Sequence, residues 1–275
     1  MHSEHISMSR EEFDRMPRRL GWKHEYYGEQ AHITPSYRVV SVRLTIQEAR
    51  TLALPDGCRR RSPREEDRAG LEDLFVQSFY GVADFCDYDE TMVRQAAETS
   101  LSDFYRKPRN AAWRAARCCE CSGDLVGAAL TSGREAAAYL ELLMVAPQCR
   151  RQGLAGALLR AALNRLRREG YETLQSRYFL ANEVSGAWHR KQGFEEWPDL
   201  FLTEHRLHHA ECELDRLLQA GASAVELNLW QNHSSRLRRQ AKAMREVADR
   251  DGLAAVLPPR ANHAALPLGC RRDRE

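Results

Sequence analysis

One stretch constrains this chain more than any other. Residues 136–145 read as a mostly apolar strand, and within ten residues of Val145 the period becomes that of an amphipathic helix. The junction reads Ala146-Pro147-Gln148-Cys149-Arg150-Arg151-Gln152-Gly153-Leu154-Ala155-Gly156. The helix that follows buries Leu158, Leu159, Ala162, Leu163 and Leu166, turns Arg160, Arg165, Arg167 and Arg168 outward, and stops at Gly170. A strand entering a helix through Gly153, Ala155 and Gly156 brings backbone close to whatever lies in front of it. The first N–H groups of a helix lack intrahelical acceptors, and the dipole is positive there, so the junction reads as an anion site. Arg150 and Arg151 add charge at its mouth. A tight strand-to-helix turn with solvated arginines is the plainer alternative, and the loop alone does not separate the two.

The remaining sequence limits what the loop can serve. No two glycines are separated by one residue and no Gly-Lys pair occurs, so the dinucleotide fingerprint and the Walker A loop are absent. G-x-S-x-G and H-E-x-x-H are absent too. With 275 residues, 43% hydrophobic and 29% charged, the chain has material for a core and some appendages, which excludes wholesale disorder. No apolar run reaches the ~20 residues of a membrane helix. The opening Met-His-Ser-Glu-His has no secretory character, so the cytoplasm is expected and a membrane is not. Forty-one basic against 39 acidic residues leave +2, which does not point to nucleic acid.

The pattern divides the chain linearly. Residues 1–56 read as a small α-β-β appendage. Ser9 and Glu12 make a capping box for a helix over 11–16, strands over 25–27 and 30–34 flank Gly28, and Val40, Val42, Leu44 and Ile46 alternate as a strand. Residues 57–200 form the main domain. It begins with a strand over 58–61 and a helix capped by Ser62, with Leu71, Leu74, Phe75 and Phe79 on one face. A second helix runs over 90–105. Strands over 113–121, 125–131 and 136–145 turn at Ser122-Gly123-Asp124 and Ser132-Gly133-Arg134, an antiparallel meander. A strand over 173–180 and a helix over 183–192 follow the loop's helix. Residues 201–257 form a helical extension in which Leu207, Leu214, Leu217 and Leu218 share a face. A stripe of Leu237, Ala241, Met244 and Ala248 packs on the host domain or, in the sharper reading, makes a homodimer. Residues 258–275 read as a mobile tail.

The order of these elements resembles the GNAT superfamily of acyl-CoA-dependent N-acetyltransferases, over about residues 57–199. Arg150-Arg151-Gln152-Gly153-Leu154-Ala155 resembles that family's Gln/Arg-x-x-Gly-x-Gly/Ala loop, preceded by Val145 and Pro147. Asn182, Trp188, His189 and Gly193-Phe194 resemble its Asn…Tyr…Gly-Phe segment. The resemblance implies an α+β fold with a mixed, mostly antiparallel sheet flanked by helices. It implies acetyl-CoA as co-substrate, held by Arg150, Arg151, Gln152, Gly153, Leu154, Ala155, Gly156 and Asn182. The backbone of Met144 and Val145 would hold pantetheine, with the acyl chain in a gap between two splayed parallel strands. His189 stands where the family usually has Tyr, which often protonates the departing thiolate. Tyr titrates near ~10 and His near ~6.5, so a histidine acid would give an alkaline fall in activity. A histidine packed beside Trp188 is the equal alternative.

Attack by an amine requires a base, and Glu141, four residues before Val145, is the candidate; an arginine-paired strand-edge Glu is the plainer reading. For the acceptor, Asp84, Phe85, Asp87 and Tyr88 offer charge and aromatic faces that suit a cationic amine or a basic N-terminus. A solvated acidic loop is the alternative. Six basic residues between Arg236 and Arg250 against Glu246 and Asp249 would touch a polyanion or form a solvated face. Glu12-Phe13 through Gly28 and Pro35 is faintly similar to the opening of Uma2-type nuclease-like proteins, without a carboxylate–lysine constellation after it, so no nuclease function is assigned.

Eight cysteines without an export signal read as reduced thiols. Cys118 and Cys121 have C-x-x-C spacing with Cys119 between them, but a zinc site needs a second pair and only His209 with Cys212 resembles one, so no metal is expected. His205 and His209, one turn apart, read as exposed polar residues. The two function classes are an N-acetyltransferase acting on a primary amine by direct attack and a non-catalytic acyl-CoA-binding module with a protein or polyanion partner.

Overall fold

Val40 and Val42, which alternate with polar neighbours near the N-terminus, are buried in a strand that belongs to the large sheet rather than to the small one. The computed structural model describes residues 3–48, 50–134 and 137–258. Its strands are β1 (Glu4–Ser7), β2 (Trp22–Tyr27), β3 (Gln30–Pro35), β4 (Val39–Thr45), β5 (Cys58–Arg61), β6 (Arg117–Cys121), β7 (Asp124–Arg134), β8 (Ala137–Val145), β9 (Thr173–Phe179) and β10 (Glu195–Glu196). Its helices are α1 (Arg10–Arg15), α2 (Arg68–Phe79), α3 (Glu90–Arg106), α4 (Leu154–Arg168), α5 (Glu183–Lys191), α6 (Leu200–Gln219) and α7 (Ala224–Asp251). Contacts divide the chain into two units. Among the described residues, one gathers 3–40, 178–186 and 196–258, and the other gathers 41–177 and 187–195.

In the first unit, β1, β3 and β2 form an antiparallel sheet in that order. β1 was not legible in the sequence: four residues of mostly exposed side chains carry no period, and only the register Glu4↔Ile33 to Ser7↔Gln30 makes them a strand. α1 has the expected capping box, with Glu12 N–H donating to Ser9 Oγ at 3.2 Å. α6 and α7 form a hairpin capped by Asp199 and Ser223. The buried face of α6 is Leu202, Thr203, Ala210, Glu213 and Leu217, whereas Leu218 is 51% exposed, so the expected leucine face is rotated. Leu237, Ala241 and Met244 of the α7 stripe are buried, with Thr203 Oγ1 3.6 Å from Met244 Sδ, so the stripe is filled by α6 of the same chain. Four of the six basic residues between Arg236 and Arg250 are paired with carboxylates, in Arg238–Glu211, Arg245–Glu204, Lys242–Glu246 and Arg250–Asp251. Buried Glu213 accepts from Arg18 N–H at 2.5 Å and Arg216 Nε at 3.0 Å. The tail expected from residue 258 lies, past Pro258, outside the described residues.

In the second unit lies most of a seven-stranded sheet of order β10-β4-β9-β8-β7-β6-β5. β5 to β8 form the antiparallel meander, and β8 and β9 run parallel. Ser122 and Gly123 make the first turn with positive φ (54° and 96°). Ser132 and Gly133 do not turn: β7 continues through them, because they pair with Tyr139 and Ala138. α2 starts later than its Ser62 signal. Buried Asp67 accepts from Arg64 N–H at 2.7 Å and from both Nη atoms of Arg61, which holds residues 65–67 as a 3-10 turn ahead of the helix.

The cysteine expectation is corrected. Cys58 and Cys121 are disulfide-bonded, because the β5–β6 register sets them directly opposite, Cα to Cα 4.2 Å. Cys118, three residues from Cys121 on the same strand, points to the opposite face and takes no part in the bond. Thiol titration of the unfolded protein should count two more thiols after reduction than before.

His24 supplies a pH dependence. Burial pushes it down to about 4, and the charge of Arg18 acts in the same direction. Its Nε2 accepts Arg19 N–H at 3.3 Å, which an imidazolium cannot do. Between the folded value and the unfolded ~6.5 the unfolded chain binds more protons. The His24 contribution is therefore fully present above pH ~6.5 and is lost as pH falls towards about 4. The melting temperature should drop across that window, and His24→Gln should flatten the drop.

Candidate functional site

β8 is committed to β7 along its whole length, from Arg134↔Ala137 to Gly127↔Val145. The register slips once: Leu130 pairs with Leu142 and Thr131 with Leu140, so Glu141 is the extra residue of a β-bulge. Strict alternation of Tyr139, Glu141 and Leu143 is interrupted there. β9 meets β8 only at Ala138↔Leu174 and Tyr139↔Gln175, and past Tyr139 the strands part. Ala146 N–H donates to Val126 O at 2.9 Å. By antiparallel alternation, Met144 directs its backbone groups to β7 and Val145 directs its N–H to the opposite edge, at the gap.

The loop after β8 is held by its own side chains. Pro147–Cys149 form a 3-10 turn. Arg150 donates through Nη2 to Ser78 O at 3.0 Å and through Nε to Val145 O at 3.3 Å, so this guanidinium ties the loop to α2 and to the strand end. Gln152 Nε2 donates to Gln148 O at 3.0 Å. Arg151 and Gly153 have positive φ (64° and 80°). A Cβ on Gly153 would meet nothing within 4 Å, so the loop faces open space.

α4 then begins with Ala157 N–H donating to Gly153 O at 3.0 Å, which leaves the N–H groups of Leu154, Ala155 and Gly156 without intrahelical acceptors. No side chain caps this end and its first turn holds no acid, whereas Asp89, Asp199 and Ser223 cap α3, α6 and α7. The helix reaches its place because β7 has a glycine beneath it: a Cβ on Gly127 would lie 3.0 Å from Leu158 Cδ1 and 3.1 Å from Leu154 Cδ2. Donors without acceptors, a positive dipole end and no carboxylate suit an anionic diphosphate.

Two candidate chemical groups lie on β8 and α5. Glu141 Oε1 takes both of that side chain's contacts, from Lys107 Nζ at 2.5 Å and from Ser132 Oγ, leaving Oε2 as the available oxygen. The partner is a lysine, where arginine was the expected alternative. His189, on α5, is 6% exposed. Its Nε2 is 3.0 Å from Ser176 Oγ, and its ring lies edge-on to Trp188 and Phe194, each at 5.0 Å between centroids. Ser176 is the first β9 residue after the last β8–β9 pair. Lys107, Ser132 and Ser176 were missed from sequence, since each meets its partner across 9 to 34 positions and no local spacing marks the pairing.

Asn182 and Phe85 have identifiable structural roles. Asn182 Oδ1 accepts Ser185 N–H at 3.0 Å, which caps α5. Phe85 is 6% exposed and packs at 5.7 Å from Phe75 and 5.4 Å from Tyr88, so it anchors its loop in the core. Asp87 is exposed and Asp84 and Tyr88 are half-buried. His209 Nε2 lies 2.9 Å from Arg18 O, and Cys212 Sγ lies 3.7 Å from His208 Nε2.

Comparison with known proteins bears on this arrangement. Residues 68–194 match the family described as Acetyltransferase (GNAT) family. A search of curated proteins found no match. Among solved structures, the chain is similar to a GCN5-related N-acetyltransferase from Sphaerobacter thermophilus at 17% identity and a TM-score of 0.45. That likeness covers 57% of this chain and 48% of that one, so the chain spans about half the length of that relative. The PaiA N-acetyltransferase of Thermoplasma acidophilum, in complex with coenzyme A, aligns at 16% identity and TM-score 0.43 over 50% of this chain and 89% of that one. The ribosomal-protein-S18-alanine N-acetyltransferase of Escherichia coli aligns at 19% identity and TM-score 0.38 over 50% and 77%. The ordered strand, loop and helix and the family match over the same residues agree: the chain carries a GNAT-family acetyltransferase domain at residues 68–194.

Proposed function

We propose that the chain transfers an acetyl group from acetyl-CoA to a primary amine by direct attack. The observation that carries this reading is the uncapped, acid-free N-terminus of α4, set behind the glycine loop and beside the gap between β8 and β9. Acetyl-CoA, when bound, supplies an acetyl group activated as a thioester. The N–H groups of Leu154, Ala155 and Gly156 would hold its diphosphate, with Arg151 adding charge at the mouth. Arg150 holds the loop in shape. Val145 N–H, turned to the open strand edge, is the donor for a group lying along β8.

The chain's own residues supply the proton handling. Glu141, fixed through Oε1, would accept the amine's proton at Oε2, directly or through water. His189 would return a proton to the departing sulfur, directly or through Ser176 Oγ. Asp84, Asp87 and Tyr88 favour a cationic acceptor, and Phe85 supports them from beneath. The ion pair at Glu141 and the burial of His189 favour a second reading, an acyl-CoA-binding module without turnover.

Two measurements test this reading. Gly153→Glu puts a carboxylate before uncapped N–H groups and should weaken acetyl-CoA binding by calorimetry at least about tenfold. Wild-type binding by that variant overturns the loop assignment. On a panel of polyamines, aminoglycosides, amino acids and basic peptides, thiol release should depend on the acceptor. Glu141→Gln should lower kcat about 100-fold with acetyl-CoA affinity retained. For His189 as the acid, activity falls on the alkaline side, and His189→Tyr should move that limb upward. Tight binding with no turnover on any amine selects the second reading.

A further inference from the structure

The edge of the large sheet carries a cluster that the acyl-transfer reading does not use. The β5–β6 register sets Cys58 opposite Cys121 and Arg60 opposite Cys119. Cys119 and Cys121, two residues apart on one strand, share a face, while Cys118 points to the other. The three Sγ atoms of Cys58, Cys119 and Cys121 lie within 4.8 Å of one another. Cys119 is fully buried and Cys58 and Cys121 are half-buried, so water has limited access. Beside them, Arg60 Nη1 is buried with no hydrogen-bond partner among the described residues. A buried guanidinium donor without an acceptor is costly unless negative charge arrives next to it.

We propose that Cys58, Cys119 and Cys121 form a thiolate site for zinc, which the Cys58–Cys121 disulfide closes and its reduction opens. The balance is simple. A dithiol reductant gives two electrons and two protons to the disulfide, becomes a cyclic disulfide itself, and leaves Cys58 and Cys121 as thiols. Binding of the divalent ion then displaces three protons, one from each thiol. Three thiolates with a divalent ion carry one negative charge, and the Arg60 guanidinium carries the matching positive charge. Soft sulfur ligands select zinc over magnesium or calcium, and with the disulfide opened, Cys119 Sγ lies within 4.8 Å of both other sulfurs, close enough for all three to reach one tetrahedral ion with Zn–S bonds of ~2.3 Å. The three cysteines come from residues 63 positions apart, joined only by strand register. The site lies outside the proposed acetyl-CoA loop, so it stands whether or not the chain turns over an amine.

Cobalt is the probe, used on the full chain. Protein reduced with a phosphine and desalted without oxygen should take up one equivalent of Co2+, with a sulfur-to-cobalt charge-transfer band in the near ultraviolet that Zn2+ abolishes. Unreduced protein should show no band. Cys119→Ser should remove the band and Cys212→Ser should keep it. Absence of a band in reduced wild type, or an unchanged band in Cys119→Ser, overturns the proposal. Should the variants fold poorly, alkylation of the reduced wild-type chain followed by mass spectrometry decides: zinc should protect Cys58, Cys119 and Cys121. Unchanged alkylation of these three overturns it.

Discussion

The candidate site depends on β8 having two neighbours and satisfying only one of them throughout. It pairs with β7 from end to end, but with β9 at two residue pairs only. β9 has its own commitments on its other side, where Ile46 N–H donates to Glu172 O at 2.7 Å and Leu180 N–H to Arg38 O at 2.7 Å, just beyond the two ends of β4. A parallel pair that stops early leaves strand-edge N–H and C=O groups facing a gap, and such groups require partners. The bulge at Glu141 increases local twist, which helps β8 turn away from β9 while keeping its bonds to β7. His189 and Ser176 sit at the point of parting and α4 begins at the far end, so the parting sets the distance over which a ligand can lie.

The second unit places its charges according to what they touch. Arg150 is spent on two carbonyls, and Arg61 is spent on Asp67 and Glu120. Arg150, expected from the sequence to hold acetyl-CoA, also braces its own loop through these two bonds. The N-terminus of α4 has the opposite character, since no side chain among the described residues caps it. Arg60 is a third case, a buried cation beside thiols. The first unit follows the same logic, with buried Glu213 accepting from Arg18 and Arg216 and the outer arginines of α7 taken up by carboxylates on its own helix and on α6.

Much of the fold was legible because it is local. Ser9 with Glu12 is a contact over three residues, and the sequence displays it directly. The apolar faces of α2 and α4 follow from helical period alone. The glycine loop and its uncapped helix were legible for the same reason. Signals failed where a local rule had a distant competitor. Ser132-Gly133 has turn chemistry but pairs as strand, Ser62 has cap chemistry but Asp67 is clamped by Arg61, and Leu218 has the right spacing but the wrong phase.

The sequence by itself determined the capping box of α1, the apolar faces of α2 and α4, and the glycine-bearing loop that joins β8 to α4. These depend on side chains within about four positions of one another, where chain connectivity fixes the geometry. Only the tertiary structure decided that Glu141 is held by Lys107 and Ser132, that His189 faces Ser176, and that Cys58 meets Cys121 rather than Cys118. Each of these pairings turns on strand register and helix packing. A shift of one residue would send each strand side chain to the opposite face, and no local spacing carries that information.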